Sequence, residues 1–312
     1  MAAIQRNLFP PQELLLVGAA VKAGIFEALK DGPLAGADLA VRTGADARSL
    51  WVVAEALAAA GYLEGEGDLW RLTDEAQEML FNPQSENYTG YSFMHGYDLC
   101  RSWLSLPGVI RTGKPEKRER TGESLRGFIT SMALHARQSA PQIVRDCLEG
   151  LGAGARVLDI GGGPLTYARE FASLGARVTV LDLPEVVEMM APSLGAGENI
   201  ELVPGDMTVA LTPGLFDLAY LGNVTHIFDG EENSKIFARS WGVLNPGGRI
   251  AIQDFVRGVS PRAAMFGVNM LVNTPRGGTW TLDQYRRWLA GAGFAGVEIR
   301  NYGERQLILA KK

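Results

Sequence analysis

From Glu13 to about Phe81, apolar residues recur at helical spacing, interrupted at Asp31-Gly32-Pro33 and at Thr43-Gly44-Ala45-Asp46. Leu14, Leu15, Val17, Ala20, Val21, Gly24 and Ile25 suit one buried helix, and Leu39 to Arg42 lies in a short second one. A third helix is predicted over about Ala47 to Ala60, because the Asp46 carboxylate can accept the free N–H groups of its first turn and Gly61 ends it. Tyr62-Leu63-Glu64, the turn Gly65-Glu66-Gly67-Asp68, and Leu69-Trp70-Arg71-Leu72 read as a short hairpin. Helix, helix, helix, hairpin is the order of a winged helix, assigned here to residues 1–84.

Residues 85–150 predict connecting helices, dense in aromatics between Tyr88 and Trp103. The mixed charges and proline of Lys114 to Arg120 predict a solvated loop within them. Past Gly150 the pattern changes to short apolar runs: Arg156 to Ile160, Arg177 to Leu183, Ile200 to Val203, Phe216 to Leu221, Arg249 to Phe255, Val297 to Tyr302 and Gln306 to Ala310. Helical segments between the first five imply a parallel sheet covered on both faces, a doubly wound α/β core over residues 151–312. The last two runs, joined by Gly303-Glu304, predict a terminal antiparallel hairpin.

Composition changes this picture little. With 312 residues, 46% hydrophobic and 21% charged, the chain is long enough for a large domain and a smaller one. A net charge of −5 argues against a nucleic-acid surface. The third helix agrees, since Arg48 is its single basic residue and a recognition helix needs long polar side chains. An apolar helix of this kind is expected to be buried, in packing or in a dimer. Cys100 and Cys147 have no ligand-spaced neighbours and are expected to be buried apolar residues, and no cluster of metal ligands is present in the sequence. Met1 to Asn7 lacks the pattern of a secretion leader and no run approaches the roughly 18 apolar residues of a membrane span, so a cytoplasmic location without membrane contact is expected.

In an open α/β sheet the ligand lies beyond the carboxyl ends of the strands. Asp159 closes the first strand and Gly161-Gly162-Gly163 make the next turn; Asp182 ends the second strand, Asp206 follows the third, Asn223 and His226 the fourth, and Asp254 the fifth. A glycine-rich turn alone fits NAD, FAD or S-adenosylmethionine. A pyrophosphate wants N–H donors and no nearby anion, whereas this turn has Asp159 before it, and Pro164 removes a donor. That charge pattern suits a cofactor bearing an ammonium group.

Val157-Leu158-Asp159-Ile160-Gly161-Gly162-Gly163, Leu181-Asp182-Leu183-Pro184, Gly205-Asp206-Met207 and the run Asn223 to Glu232 together resemble the small-molecule O-methyltransferase family, which includes caffeate, flavonoid, acetylserotonin and bacterial polyketide-tailoring enzymes. The resemblance implies S-adenosyl-L-methionine as methyl donor, a small acceptor with a hydroxyl, and a homodimer formed through the winged helix. It further implies that Gly161, Gly162 and Gly163 approach the methionine part, that Asp182 holds the ribose and that Asp206 with Met207 contacts the adenine, and Asp159, Leu183 and Asn223 are expected among the cofactor-binding residues. His226 falls at the family's catalytic base, Asp254 at the acid that orients it, Phe128, Met132 and His135 on the helix roofing the acceptor, and Met270 with Thr274 on a second wall.

A phenol with a pKa of about 10 is a weak nucleophile at neutral pH, which is why a histidine base belongs there. Two departures stand out. Leu165 replaces a usual glycine, where a Cβ is expected to crowd the cofactor or resist a positive φ, and Thr279 stands where plant members carry a second acid. The same fold also serves carbon and nitrogen methylation and non-methylating tailoring. A winged-helix regulator that senses a metabolite is the alternative of another class, and the apolar third helix speaks against it.

Overall fold

The computed structural model describes residues 10–116 and 122–312. Met1 to Asn7, and Lys117 to Arg120 of the charged stretch, lie outside the described residues. The chain forms two compact units, Met1–Cys100 with Arg120–Ser131, and Arg101–Glu119 with Met132–Lys312.

The first unit begins with α1 (Gln12–Lys22) and α2 (Ile25–Leu29). The single helix expected across this stretch is two, because Gly24 adopts φ +74°, a left-handed conformation that ends α1. A strand of two residues, β1 (Leu34–Ala35), follows, then α3 (Gly36–Thr43) and α4 (Ala47–Ala59). Asp46 caps α4 as expected, accepting from Ser49 N at 2.8 Å. The hairpin is β2 (Leu63–Glu66) and β3 (Leu69–Leu72), and β1 adds to it in the order β1-β3-β2. Thr73 then caps α5 (Asp74–Phe81). Phe26, Leu29, Leu39, Ala54 and Leu57 fill the core between these elements.

Helix α4 is buried along one stripe only within the chain. It buries Leu50, Ala54 and Leu57, while Trp51 and Val52 are 54% and 51% exposed. The unit is small, so a helix at its edge meets the core along one stripe only, and Trp51 and Val52 outside that stripe are not covered by the described residues.

Next come α6 (Phe93–Leu104), α7 (Leu106–Thr112) and α8 (Gly122–Arg137). Cys100, on α6, is half-buried, where full burial was expected.

The second unit is built on seven strands: β4 (Arg156–Ile160), β5 (Arg177–Asp182), β6 (Ile200–Pro204), β7 (Phe216–Gly222), β8 (Leu244–Asp254), β9 (Ala295–Tyr302) and β10 (Arg305–Lys311). Their order is β6-β5-β4-β7-β8-β10-β9, parallel from β6 to β8, with the terminal hairpin antiparallel and β10 inserted beside β8. The order turns outward in both directions from β4, and this leaves a crevice at the carboxyl ends of β4 and β7. Helices α9 (Ala140–Leu148) and α10 (Thr166–Ser173) cover one face. After α11 (Pro184–Met190), helices α12 (Gly230–Gly242), α13 (Ala263–Asn273) and α14 (Leu282–Ala292) complete the chain.

Strand ends shift by one or two residues from the sequence reading, and two differences are larger. No helix joins β6 to β7, so helices do not separate all of the first five strands. β8 starts five residues early at Leu244, because the turn-forming Asn245-Pro246-Gly247-Gly248 is taken up as an irregularity where Phe216 pairs with Leu244 and Leu218 with Arg249. Among the described residues no helix is long and apolar enough to cross a membrane.

Candidate active site

Asp159 pairs in register with Val180 of β5 and Tyr220 of β7, at the carboxyl edge of the sheet. Its side chain is buried and its Oδ2 has no hydrogen-bond partner. Burial, and then the neighbouring Asp182, push its pKa up to about 8. A nearby cation would therefore favour ionisation of Asp159. The turn after it is tight: a Cβ on Gly162 would collide with the Asp159 carboxyl and with Val180, and one on Gly161 with Val224 and the Met207 methyl. Met207 thus lies against the turn.

Asp182, at the end of β5, accepts from Gly163 N and Leu183 N, both at 2.8 Å. Burial still raises its pKa against those two bonds, and Glu185 adds to the rise. Asp206 is exposed and its Oδ1 accepts from the Thr208 N–H and hydroxyl, which fixes the loop after β6. Asn223 follows β7 with φ +59°, a conformation asparagine tolerates, and its buried Oδ1 is without a partner.

Leu165 adopts φ +62°, the conformation expected to need glycine, yet its side chain is 1% exposed and belongs to the core between the sheet, α9 and α10. The isobutyl group therefore points away from the crevice. The strain of a non-glycine left-handed residue, of order 1–2 kcal/mol, is offset by burial of a leucine side chain worth roughly the same or more.

His226 lies in a single 3-10 turn, Thr225–Ile227, and is 8% exposed. Its Nδ1 is 2.8 Å from Asp254 Oδ1, and its backbone N–H donates to Oδ2 at 3.1 Å. The same carboxylate accepts from the Thr225 hydroxyl at 2.6 Å and from Phe255 N at 2.8 Å. Burial alone would raise the pKa of Asp254, but the His226 ring beside it and these bonds outweigh that and hold it below the usual carboxylate range. An ionised Asp254 accepts a hydrogen bond from Nδ1–H, so the lone pair of His226 lies on Nε2. Phe266 packs edge-on against the imidazole, with centroids 4.8 Å apart.

The turn is anchored from three sides. Asn233 and Trp280 donate to Thr225 O, Tyr285 Oη lies 2.6 Å from Thr225 Oγ1, and Gly278 N donates to His226 O. Any Cβ on Gly277 would strike His226 O. Asp229 caps α12 and pairs with Arg276 at 3.1 Å.

Of the expected acceptor-wall residues, Met270 is buried on α13, and Thr274 is buried with its hydroxyl bonded to Met270 O and Gly277 N. Met132 is half-buried and His135 exposed on α8, while Phe128, farther up that helix in the other unit, packs edge-on against His95 at 5.2 Å. Thr279 donates to Ala263 O. Thr225, Tyr285, Phe266 and Gln253 escaped the sequence reading, although Phe266 stands one helical turn before Met270.

A sheet of this order, with a glycine turn after β4, carboxylates at successive strand tips and an oriented histidine beyond β7, is that of a Rossmann-like methyltransferase. The family model of the O-methyltransferase domain matches residues 116–295, and the chain belongs to that family. It is 28% identical over 302 residues to 3-hydroxy-5-methyl-1-naphthoate 3-O-methyltransferase of Streptomyces sahachiroi, covering 89% of this chain and 85% of that one. Among solved structures it resembles PigF with SAH, at TM-score 0.78 and 24% identity over 96% of each chain. Human N-acetylserotonin methyltransferase in complex with SAM gives TM-score 0.73 and 23% identity, covering 100% of this chain and 99% of that one.

Proposed function

We propose that the protein transfers a methyl group from S-adenosyl-L-methionine to the hydroxyl of a small aromatic or polyketide-like acceptor, with His226 as general base and Asp254 as the residue that orients it. The observation that carries this reading is the 2.8 Å contact between His226 Nδ1 and a buried Asp254, which directs the imidazole lone pair to Nε2. Bound at the sheet edge, the cofactor supplies an electrophilic methyl on a sulfonium.

The chain's own residues fit that group. Asp159 Oδ2 and Asn223 Oδ1 are buried acceptors without donors, which suits a cationic ligand and would penalise an anionic one. Asp182 keeps lone pairs for two ribose hydroxyls, and Gly161, Gly162 and Gly163 give backbone access where a side chain would not fit. Leu183, Asp206 and Met207 flank the adenine end. His226 takes the hydroxyl proton as the oxygen bonds to carbon, and the ionised Asp254 stabilises the imidazolium that results. Phe266 and Met270, with Met132, His135 and Thr274, contribute to the acceptor's surroundings. The name of the Streptomyces relative, a hydroxynaphthoate O-methyltransferase, supports an aromatic acceptor.

Residues 1–84 act in this reading as a winged helix that forms a homodimer, with 85–312 as the catalytic domain. Trp51 and Val52 on α4 are the apolar surface such a contact would cover.

Incubation with trideuteromethyl-labelled cofactor and a panel of phenolic acceptors tests the reaction. The expected product carries the label on oxygen by NMR. Label on carbon or nitrogen, or none on any product of a cofactor-binding protein, would overturn the assignment.

A further inference from the structure

A second polar group occupies the carboxyl edge of the sheet, on the face covered by α9 and α10. Tyr220 Oη donates to Gln253 Oε1 at 2.8 Å. The Tyr167 ring lies 5.0 Å from that of Tyr220, and its hydroxyl is 3.5 Å from Ser139 Oγ. Gln253 pairs in register with Gly222, two residues beyond Tyr220, and Tyr220 pairs with Asp159. Side chains alternate along a strand, so Asp159, Tyr220 and Gln253 share one face.

The glutamine is out of keeping with its surroundings. Ala251 on the same strand and Leu307, its partner on β10, belong to the apolar core of this face. Gln253 is fully buried, and its Nε2 has no hydrogen-bond partner. Leaving a buried amide N–H unpaired is unfavourable, and an apolar residue of similar shape would avoid the penalty. Two strands away Asp159 Oδ2 is the complementary case, a buried acceptor without a donor. A donor and a carboxylate, both unsatisfied on one face of one sheet edge beside the glycine turn, match a zwitterion: its anion meets the amide and its cation the carboxylate.

We propose that Gln253, held in place by Tyr220, binds the carboxylate at the amino-acid end of the cofactor. The inference rests on the cofactor reading above. Tyr220 acts as a positioning residue, since its bond to Oε1 fixes which amide atom is free. Nothing in this role touches the methyl group or the acceptor.

The test compares two ligands by calorimetry: S-adenosylhomocysteine, which has the amino-acid end, and 5′-methylthioadenosine, which lacks it. Gln253→Leu and the unbranched Gln253→Met should weaken S-adenosylhomocysteine about tenfold or more, as expected for loss of a hydrogen bond to a charged group. Both should leave 5′-methylthioadenosine within about twofold. Gln253→Glu, which sets an anion against the carboxylate, should lose more of the first ligand than either. Melting temperatures identify any variant that fails to fold. An unchanged ratio of the two affinities in all folded variants overturns the proposal while leaving the cofactor reading intact. Binding of neither ligand by the unaltered protein overturns both.

Discussion

His226→Ala lowers turnover of a phenolic acceptor by about 100-fold or more, within the range that general-base help contributes. The oxygen must lose its proton as it attacks, and a phenol of pKa about 10 is almost wholly protonated at neutral pH. Alanine removes the imidazole beside Phe266 and leaves Asp159, Asp182 and Asp206 untouched. Affinity for the cofactor should therefore stay within about twofold of the unaltered protein. The deficit should shrink as pH rises toward the acceptor's own pKa, because a phenolate needs no base. Unchanged turnover at neutral pH on the true acceptor would remove His226 from the mechanism.

Asp254 carries a double burden, and its variants separate the two parts. The carboxylate is 1% exposed and accepts from His226 Nδ1, His226 N, Thr225 Oγ1 and Phe255 N. Asp254→Ala leaves those donors buried and unpaired, and should destabilise the fold by at least about 1–3 kcal/mol, the usual cost of a single buried donor left without its acceptor. Asp254→Asn keeps the shape but turns an amide N–H₂ toward groups that donate. It should destabilise less while lowering turnover by about 100-fold or more, since Nδ1 loses its acceptor and the lone pair leaves Nε2.

The pH dependence has a definite sign. The folded pKa of Asp254 is depressed, so its contribution to stability is present above the unfolded value of about 4 and is lost as pH falls through the lower folded value. Denaturant midpoints measured across acid pH should show this loss in the unaltered protein and not in Asp254→Asn. A stable Asp254→Asn protein with full activity would contradict the assigned role.

Much of this site was legible in the sequence because its parts are local. Asp159 and the glycine turn, Asp182, and the run from Asn223 to Glu232 each sit at the end of an apolar run, and alternating strands and helices bring such ends to one edge. The pairing of His226 with Asp254 followed from motif order, and the register of β7 with β8 accounts for it. Tyr285 and Trp280 anchor the turn from 60 and 55 residues away, and no local pattern marks such contacts. Gln253 looked like one polar residue in an apolar strand, with nothing to show which face it took.

Leu165 shows a different limit. Its positive φ was foreseeable, but the direction of its side chain depends on where α9 and α10 pack. The exposed face of α4 is similar, since apolar composition foretells burial without naming the partner. Where the chain between two strands is short and broken by Pro213-Gly214, as between β6 and β7, the doubly wound expectation was too regular.

Cofactor binding at the strand tips depends on Asp159 meeting a cation. Its raised pKa means that the folded, cofactor-free protein holds a proton there while the unfolded chain has lost it, so this group's contribution to stability is present below about pH 4 and fades as pH rises through about 8. The direct measurement is calorimetry of S-adenosylhomocysteine binding near pH 7 in buffers of differing ionisation enthalpy. The unaltered protein should release close to one proton on binding, and Asp159→Asn should bind more weakly and release none. Absence of binding, or equal affinity and proton count in the two proteins, would contradict the central claim.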